Sequence, residues 1–410
     1  MKLSKLSRTI LVSSAGLVLA TLLTSCEIVT IDYLFVANSA GTGSSGSGEI
    51  QTFDVDSESG AIRNGAKPVS SGGNNPVAIA VTADYNNLYV VNQASNNVVH
   101  FSIADTGALT QKDMVTTGPS PTFIAVNTAG TYLYIVSGPN PAMLTAYSLS
   151  GGTIGSVAAQ ETLSVPGYTG DTLAPTAVTV LANNDSVYVT AYDQSAYNPS
   201  CVSTPTSPCT TSLANPGWIF GYAVGTGGAL TPASGSPWKA GVKPVALAAD
   251  PTNRFVYVTD FASNQMIGYT IQSGSVLNFL LNGPFSAGSE PTAIIVDPRG
   301  KYIYVSNGLS NTVTAFTISL ATGTPTATIN TTGSQTNSTD TDPISVTVDA
   351  ALGRFVYTAN YLGNSISGFR LNPDTGALSP TVAGPYPSGS KPAVVATVPH
   401  GNHAIQSVTP

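Results

Sequence analysis

Charge is scarce in this chain. Asp, Glu, Lys and Arg make up 9% of its 410 residues, against roughly a quarter in an ordinary soluble domain, so the surface must be built largely from Ser, Thr, Asn and Gly. Basic clusters are missing too. After Arg8 there is no run of Lys or Arg, and the formal net charge is −7. A nucleic-acid surface needs a basic stripe to neutralise phosphates, so that class of partner is excluded. Histidine is limited to His100, His400 and His403. No His/Asp/Glu cluster with metal-ligand spacing is visible, nor a Ser-His-Asp arrangement, nor a phosphate loop of the G-x-x-x-x-G-K type. No metal and no cofactor is expected. A sustained helical period is also lacking beyond the first 25 residues.

The first 25 residues read as an address. Lys2, Lys5 and Arg8 precede an apolar stretch from Ile10 to Leu23, which is short and broken by Ser and Gly. This is the build of a secretory signal peptide (1–25) rather than of a membrane span. The closing letters Leu23-Thr24-Ser25-Cys26 resemble the bacterial lipoprotein cleavage box, which implies a lipid on Cys26. The expected product is an exported protein held on a membrane of the bacterial cell envelope by that lipid, through a short tether at 26–32. The chain has three cysteines. With Cys26 used, Cys201 and Cys209 form an even pair, and an exported protein meets oxidising conditions, so a local disulfide is expected.

What the chain has in plenty is repetition. "PTAIIVDPRGKYIYVSNGLSNTVTAFTI" from Pro291 is echoed by "PVAIAVTADYNNLYVVNQASNNVVHFSI" from Pro76 and "PISVTVDAALGRFVYTANYLGNSISGFRL" from Pro343. Pro76, Pro121, Pro175, Pro244, Pro291, Pro343 and Pro392 each open an apolar run, at intervals of about 45–70 residues. A turn follows, then an aromatic run centred on Tyr89, Tyr134, Tyr188, Tyr257, Tyr304 or Tyr357, then an Asn/Ser/Gly turn, a third run, and often a "TGAL" turn before a weaker fourth run. Short segments rich in Val, Ile, Thr, Tyr and Phe between turn residues are strands. Four strands per unit, seven units: the chain is expected to be an all-β, seven-bladed β-propeller spanning 33–410. It enters at the second strand of a unit, at Tyr33, and the matching first strand, from Pro392, lies at the other end. The two termini are therefore expected to share the closing blade, which leaves no open sheet edge. The segment "HAIQSV" near the C-terminus has no place in this scheme.

In such a propeller the loops before each first strand and after each second strand meet at one mouth of the channel. Charges expected there are Asp171, Asp193, Asp260, Glu290, Asp342, Lys243 and Lys391. Glu290 and Asp260 are the best-placed carboxylates for acid–base work. Asn92, Asn307 and Asn360, which close second strands, are candidate ligand contacts, together with Lys243, Lys391 and Tyr192. Turn capping through side-chain hydrogen bonds explains the same Asn residues. Arg254, Arg299 and Arg354 fall in the turns at the opposite end. A long insertion, about 191–217, carries Tyr192, Tyr197 and both remaining cysteines, and long loops on rigid scaffolds are often functional.

The repeat unit resembles that of the lactonase-type seven-bladed propellers, which include 6-phosphogluconolactonase-like and muconate-cycloisomerase-like proteins. The likeness runs through nearly all of 33–410. In active members His, Glu and Arg around one mouth are implicated. Here Glu290 is the mouth-side match, while His and Arg are missing from that face. Two readings follow. The first is an envelope-anchored, non-catalytic scaffold that binds an unknown protein, glycan or small molecule as a monomer. The alternative is a lactone hydrolase of the 6-phosphogluconolactonase type that uses mouth carboxylates.

Overall fold

The computed structural model of the protein describes residues 29–40, 47–168, 172–195, 216–330, 332–402 and 408–410. They form seven antiparallel sheets in a closed ring. Each sheet is one blade whose first strand lines the central channel. In chain order, blades 2 to 7 begin with Pro76–Val81, Pro121–Val126, Leu173–Val180, Pro244–Ala249, Pro291–Val296 and Pro343–Val348. Blade 1 closes the ring. Its first strand is the C-terminal Ser390–Pro399, and its second is the N-terminal Thr30–Ala40, paired antiparallel from Asp32↔Pro399 to Ala40↔Ser390. The shared closing blade expected from the sequence is present.

The recurring Tyr of the second strand is a rivet between blades. Tyr89, Tyr134, Tyr188, Tyr257, Tyr304 and Tyr357 are all fully buried. A buried phenol needs a partner for its hydroxyl, and five of the six find it in the next blade. Tyr89 donates to the Gly152 carbonyl (2.6 Å), Tyr188 to Ser275 (3.1 Å), Tyr257 to Gly323 (2.6 Å), Tyr304 to Gly376 (3.1 Å) and Tyr357 to Gly60 (2.8 Å). Each acceptor lies in the turn between the third and fourth strands, which is where the "TG" letters recur.

The fourth strand is weak for a visible reason. It is continuous in blades 2 and 3 (Leu109–Thr116, Thr153–Thr162) and split into two short pieces in the other five. At the break in blades 5 and 7 a side chain folds inward over a third-strand glycine. A Cβ at Gly268 would stand 2.5 Å from Leu280, and one at Gly368 would stand 2.6 Å from Thr381. The ladder amide survives the break: Leu280 and Thr381 still donate to the carbonyls of Gly268 and Gly368 (both 2.9 Å).

Candidate functional site

Every first strand carries an irregularity at its entrance. The pairing register slips just after the opening proline, as between Pro76 and Ala78, Pro244 and Ala246, Pro291 and Ala293, and Pro343 and Ser345. A bulge bends a strand and re-aims its neighbours. Here it sets the residue before each proline into a ring at the mouth: Asn75, Ser120, Ala174, Lys243, Glu290, Asp342 and Lys391. Five of the seven hold left-handed backbone: Asn75 (φ 54°), Ser120 (48°), Glu290 (53°), Asp342 (58°) and Lys391 (56°). That region is costly for a residue with a Cβ, about 1 kcal/mol or more each, and such outliers gather at functional sites.

The neighbouring blade holds the strained residues in place. The side-chain oxygen of Asn264 accepts the amide N–H of Glu290 (2.7 Å), Asn311 that of Asp342 (2.8 Å), Asn364 that of Lys391 (2.8 Å) and Asn96 that of Ser120 (2.7 Å). These latches sit four residues after the residue that closes the second strand. They too have positive φ, between 51° and 56°, a conformation that Asn tolerates better than most residues. The sequence reading passed over them. Their signal was the repeated spacing Asn92/Asn96, Asp260/Asn264, Asn307/Asn311 and Asn360/Asn364.

The structure brings Lys243, Glu290, Asp342 and Lys391 together as an arc over blades 5, 6, 7 and 1. The Lys243 ammonium lies over the rings of Phe261 (4.3 Å) and Tyr192 (5.7 Å). Desolvation lowers its pKa, and the charge of Glu290 acts to raise it. Lys391 lies over Tyr361 (5.7 Å). Burial pushes the Asp342 carboxyl above its ordinary value. That carboxylate leans against Gly308 of blade 6, where a Cβ would stand 2.9 Å from Asp342 Oδ1. Because the Gly308 amide donates to the Glu290 carbonyl (2.8 Å), the two acidic residues share one corner.

Other expected site residues lie beneath this surface. Asp260 is fully buried and accepts from the amides of Val242 (3.0 Å) and Lys243 (2.9 Å) and from Gln265 (3.0 Å). It is placed as the anchor of the loop that carries Lys243. Asn92, Asn307 and Asn360 are fully buried. Asn92 is bonded to Ser71 and Asn97, Asn307 accepts the Gly288 amide, and Asn360 donates to Ser365 and Ser367. Asp193 is buried and accepts from the Tyr168 hydroxyl (2.7 Å). Asp171, Tyr197, Cys26, Cys201, Cys209, His403 and most of the 191–217 insertion lie outside the described residues. Among the described residues no group of three or more His, Cys, Asp or Glu is placed to hold a metal ion. Below the ring the bulge positions of the channel wall are mixed, with Val77, Val245 and Ile344 half-exposed beside Thr122, Thr176 and Thr292. Phe123 packs against the core clusters of three successive blade interfaces. Arg254 and Arg299 occupy base turns, paired with Asp250 (3.2 Å) and Asp297 (2.7 Å).

Comparison with known proteins agrees with this architecture. No curated protein matches the sequence. Among solved structures, the periplasmic gluconolactonase PpgL of Pseudomonas aeruginosa is similar at a TM-score of 0.72 and 17% identity, over 91% of this chain and 100% of that one. A Lactobacillus plantarum protein gives 0.69 and 17%, over 90% and 100%. A provisionally named 6-phosphogluconolactonase of Bacteroides fragilis gives 0.68 and 17%, over 90% and 98%. At these identities the likeness is one of fold. The family model "Lactonase, 7-bladed beta-propeller" matches residues 27–114 and 226–403, well over half of the sequence, and the chain belongs to that family.

Proposed function

We propose that the protein is a lactone hydrolase whose chemistry takes place at the Lys243–Glu290–Asp342 corner of the mouth. The observation that carries this reading is the ring at the mouth, where latches from the neighbouring blades fix Glu290 and Asp342 in adjoining blades and the Glu290 charge acts on the half-buried Lys243 ammonium. Ring opening of a lactone needs a base for the attacking water and a donor for the oxyanion that forms on the carbonyl. Asp342, with its carboxyl pushed up by burial, takes the proton from water. Lys243 faces the oxyanion. Glu290 keeps Lys243 cationic. When the tetrahedral intermediate collapses, the ring C–O bond breaks, and the departing alkoxide recovers a proton from Asp342. The names of the Pseudomonas and Bacteroides proteins favour a sugar lactone. An uncharged lactone fits better than a phosphorylated one. Among the described residues the ring offers Lys243 and Lys391 but no Arg, and Arg is the residue suited to bidentate phosphate binding.

The test is turnover by purified protein of glucono-1,5-lactone and 6-phosphogluconolactone. Asp342→Asn should lower kcat about 10²-fold or more. Wild-type activity should fall as pH drops through a carboxylate pKa above the usual range. Glu290→Gln should move the alkaline limb to lower pH, because the charge that raises the Lys243 pKa is gone. Preference for the phosphorylated substrate, or full activity in Asp342→Asn, overturns the assignment. Absence of any turnover returns the mouth to the binding-scaffold reading, which the exposed Leu309 and Leu362 beside the ring favour (57% and 60% exposed).

Export and anchoring through Cys26 are part of the same proposal, supported by the signal-like N-terminus and by the periplasmic setting of the Pseudomonas relative. A Cys201–Cys209 disulfide and a monomeric state are proposed with it.

A further inference from the structure

At the base of the propeller, opposite the mouth, lies a pair of acids that the proposed chemistry does not use. The base turns of blades 5, 6 and 7 each contain an Asp just after the first strand: Asp250, Asp297 and Asp349. All three are fully buried and accept backbone N–H groups of their own turn. Asp250 and Asp297 also hold a guanidinium, at 3.2 and 2.7 Å. Asp349 does not. It accepts four backbone amides, those of Leu352 (2.7 Å), Gly353 (3.0 Å), Arg354 and Phe355 (2.7 Å), while the Arg354 side chain is exposed and among the described residues pairs with no carboxylate. The group that meets Asp349 is another acid, Asp32, from the N-terminal strand of blade 1.

Asp32 is fully buried. Its Oδ1 accepts the amide of Ala351 (3.1 Å). Among the described residues its Oδ2 has no hydrogen-bond partner. A buried anionic oxygen without a donor is expensive, and two charged carboxylates in contact are more so. Both problems vanish if Asp32 carries a proton and donates it to Asp349. We propose that Asp32 and Asp349 share one proton where blade 1 meets blade 7, and that losing it loosens the seam that closes the ring. The joint is between chain ends: Asp32 pairs directly with Pro399 of the C-terminal strand, so this one contact ties the N-terminus to blade 7 and to the C-terminal strand.

Among the described residues no cation acts on Asp32; His400, which follows its strand partner Pro399, donates its amide to the Ile31 carbonyl (2.9 Å) and turns its ring onto Tyr33. Tyr357 of blade 7 and Tyr85 of blade 2 feel its charge. Arg299 of blade 6 is engaged with Asp297 and donates to the Gly353 carbonyl (2.8 Å), and Arg63 of blade 1 is engaged with Thr30 and Asp54. Burial, then the charge of Asp349, then the bond to it hold the Asp32 pKa well above its ordinary value. An acid raised in the folded state costs nothing below its unfolded pKa and destabilises the fold as pH climbs through its folded pKa.

The test compares thermal melting of the full chain and of Asp32→Asn across about pH 5 to about pH 8.5. The amide keeps the shape and donates N–H to Asp349 without a proton to lose. At the alkaline end Asp32→Asn should melt about 2–5 °C above wild type, and the gap should narrow steadily toward the acidic end. A protonated-carboxyl band at neutral pH in the infrared spectrum of the wild type, missing in Asp32→Asn, should accompany it. A variant that melts below wild type at every pH overturns the proposal, as does a loss of melting temperature on adding a chelator, which would mean that a cation holds the pair. Should Asp32→Asn fail to fold, the wild-type infrared titration decides. A protonated-acid band that persists to neutral pH supports the shared proton, and its disappearance by about pH 5 overturns it.

Discussion

The second-strand tyrosines allow a controlled test of what their hydroxyl groups contribute. Tyr257 donates to Gly323 at 2.6 Å, and both groups are shut away from water, so Tyr257→Phe removes a bond and leaves a buried carbonyl short of a donor. The expected cost is about 1–2 kcal/mol. Tyr134 occupies the same place in blade 3 and is as deeply buried, yet among the described residues its hydroxyl has no partner. Tyr134→Phe should therefore be neutral or slightly stabilising. Chemical denaturation of the two variants measures the difference. Equal losses would show that ring packing alone explains the recurrence of Tyr and that the link between blades is incidental.

Latches between adjacent blades make the ring of the mouth a property of the circle rather than of any one blade. Asn264→Ala frees the Glu290 amide, and Asn96→Ala frees the Ser120 amide on the uncharged side. Both should cost about 1 kcal/mol. Lactone turnover should fall roughly tenfold only in Asn264→Ala. An equal fall in both variants would mean that the latches act through general stability. This device marks the limit of what the sequence discloses. Blade number, strand order and the shared closing blade were legible, because apolar alternation and turn residues are local signals repeated seven times. Lys243, Glu290 and Lys391 were legible as charges beside prolines. The true surroundings of Asp260 and of the strand-closing Asn residues were not. Whether a polar side chain at a strand end meets solvent or a crossing loop depends on how the next segment folds over it, and that loop is fixed by contacts distant in sequence. Tyr and "TG" were each visible as repeats. Only the packing of one blade on the next joins them.

Ring closure sets the geometry of the whole molecule. Removing residues from Ser390 onward would take the first strand out of blade 1 and expose the paired face of Thr30–Ala40, an open edge suited to aggregation. The truncated chain should fail to give soluble, cooperatively melting protein. The same topology fixes how the propeller would stand on a membrane. First strands run from mouth to base and second strands from base to mouth, so Thr30, at the start of blade 1's second strand, lies at the base. A lipid on Cys26 would reach Val29 through a tether of only about 10 Å. The base would then be held against the bilayer with the mouth turned away from it, open to diffusing substrate. Cys26→Ala should release the protein into the soluble fraction with lactone turnover unchanged. In the anchored protein a cysteine at Leu309, exposed beside the mouth ring, should react with a bulky thiol reagent as fast as in the released form. A cysteine at Leu352, in a base turn and 38% exposed, should be slowed by anchoring. The reverse pattern would place the mouth against the membrane and would require the substrate to arrive from the lipid side.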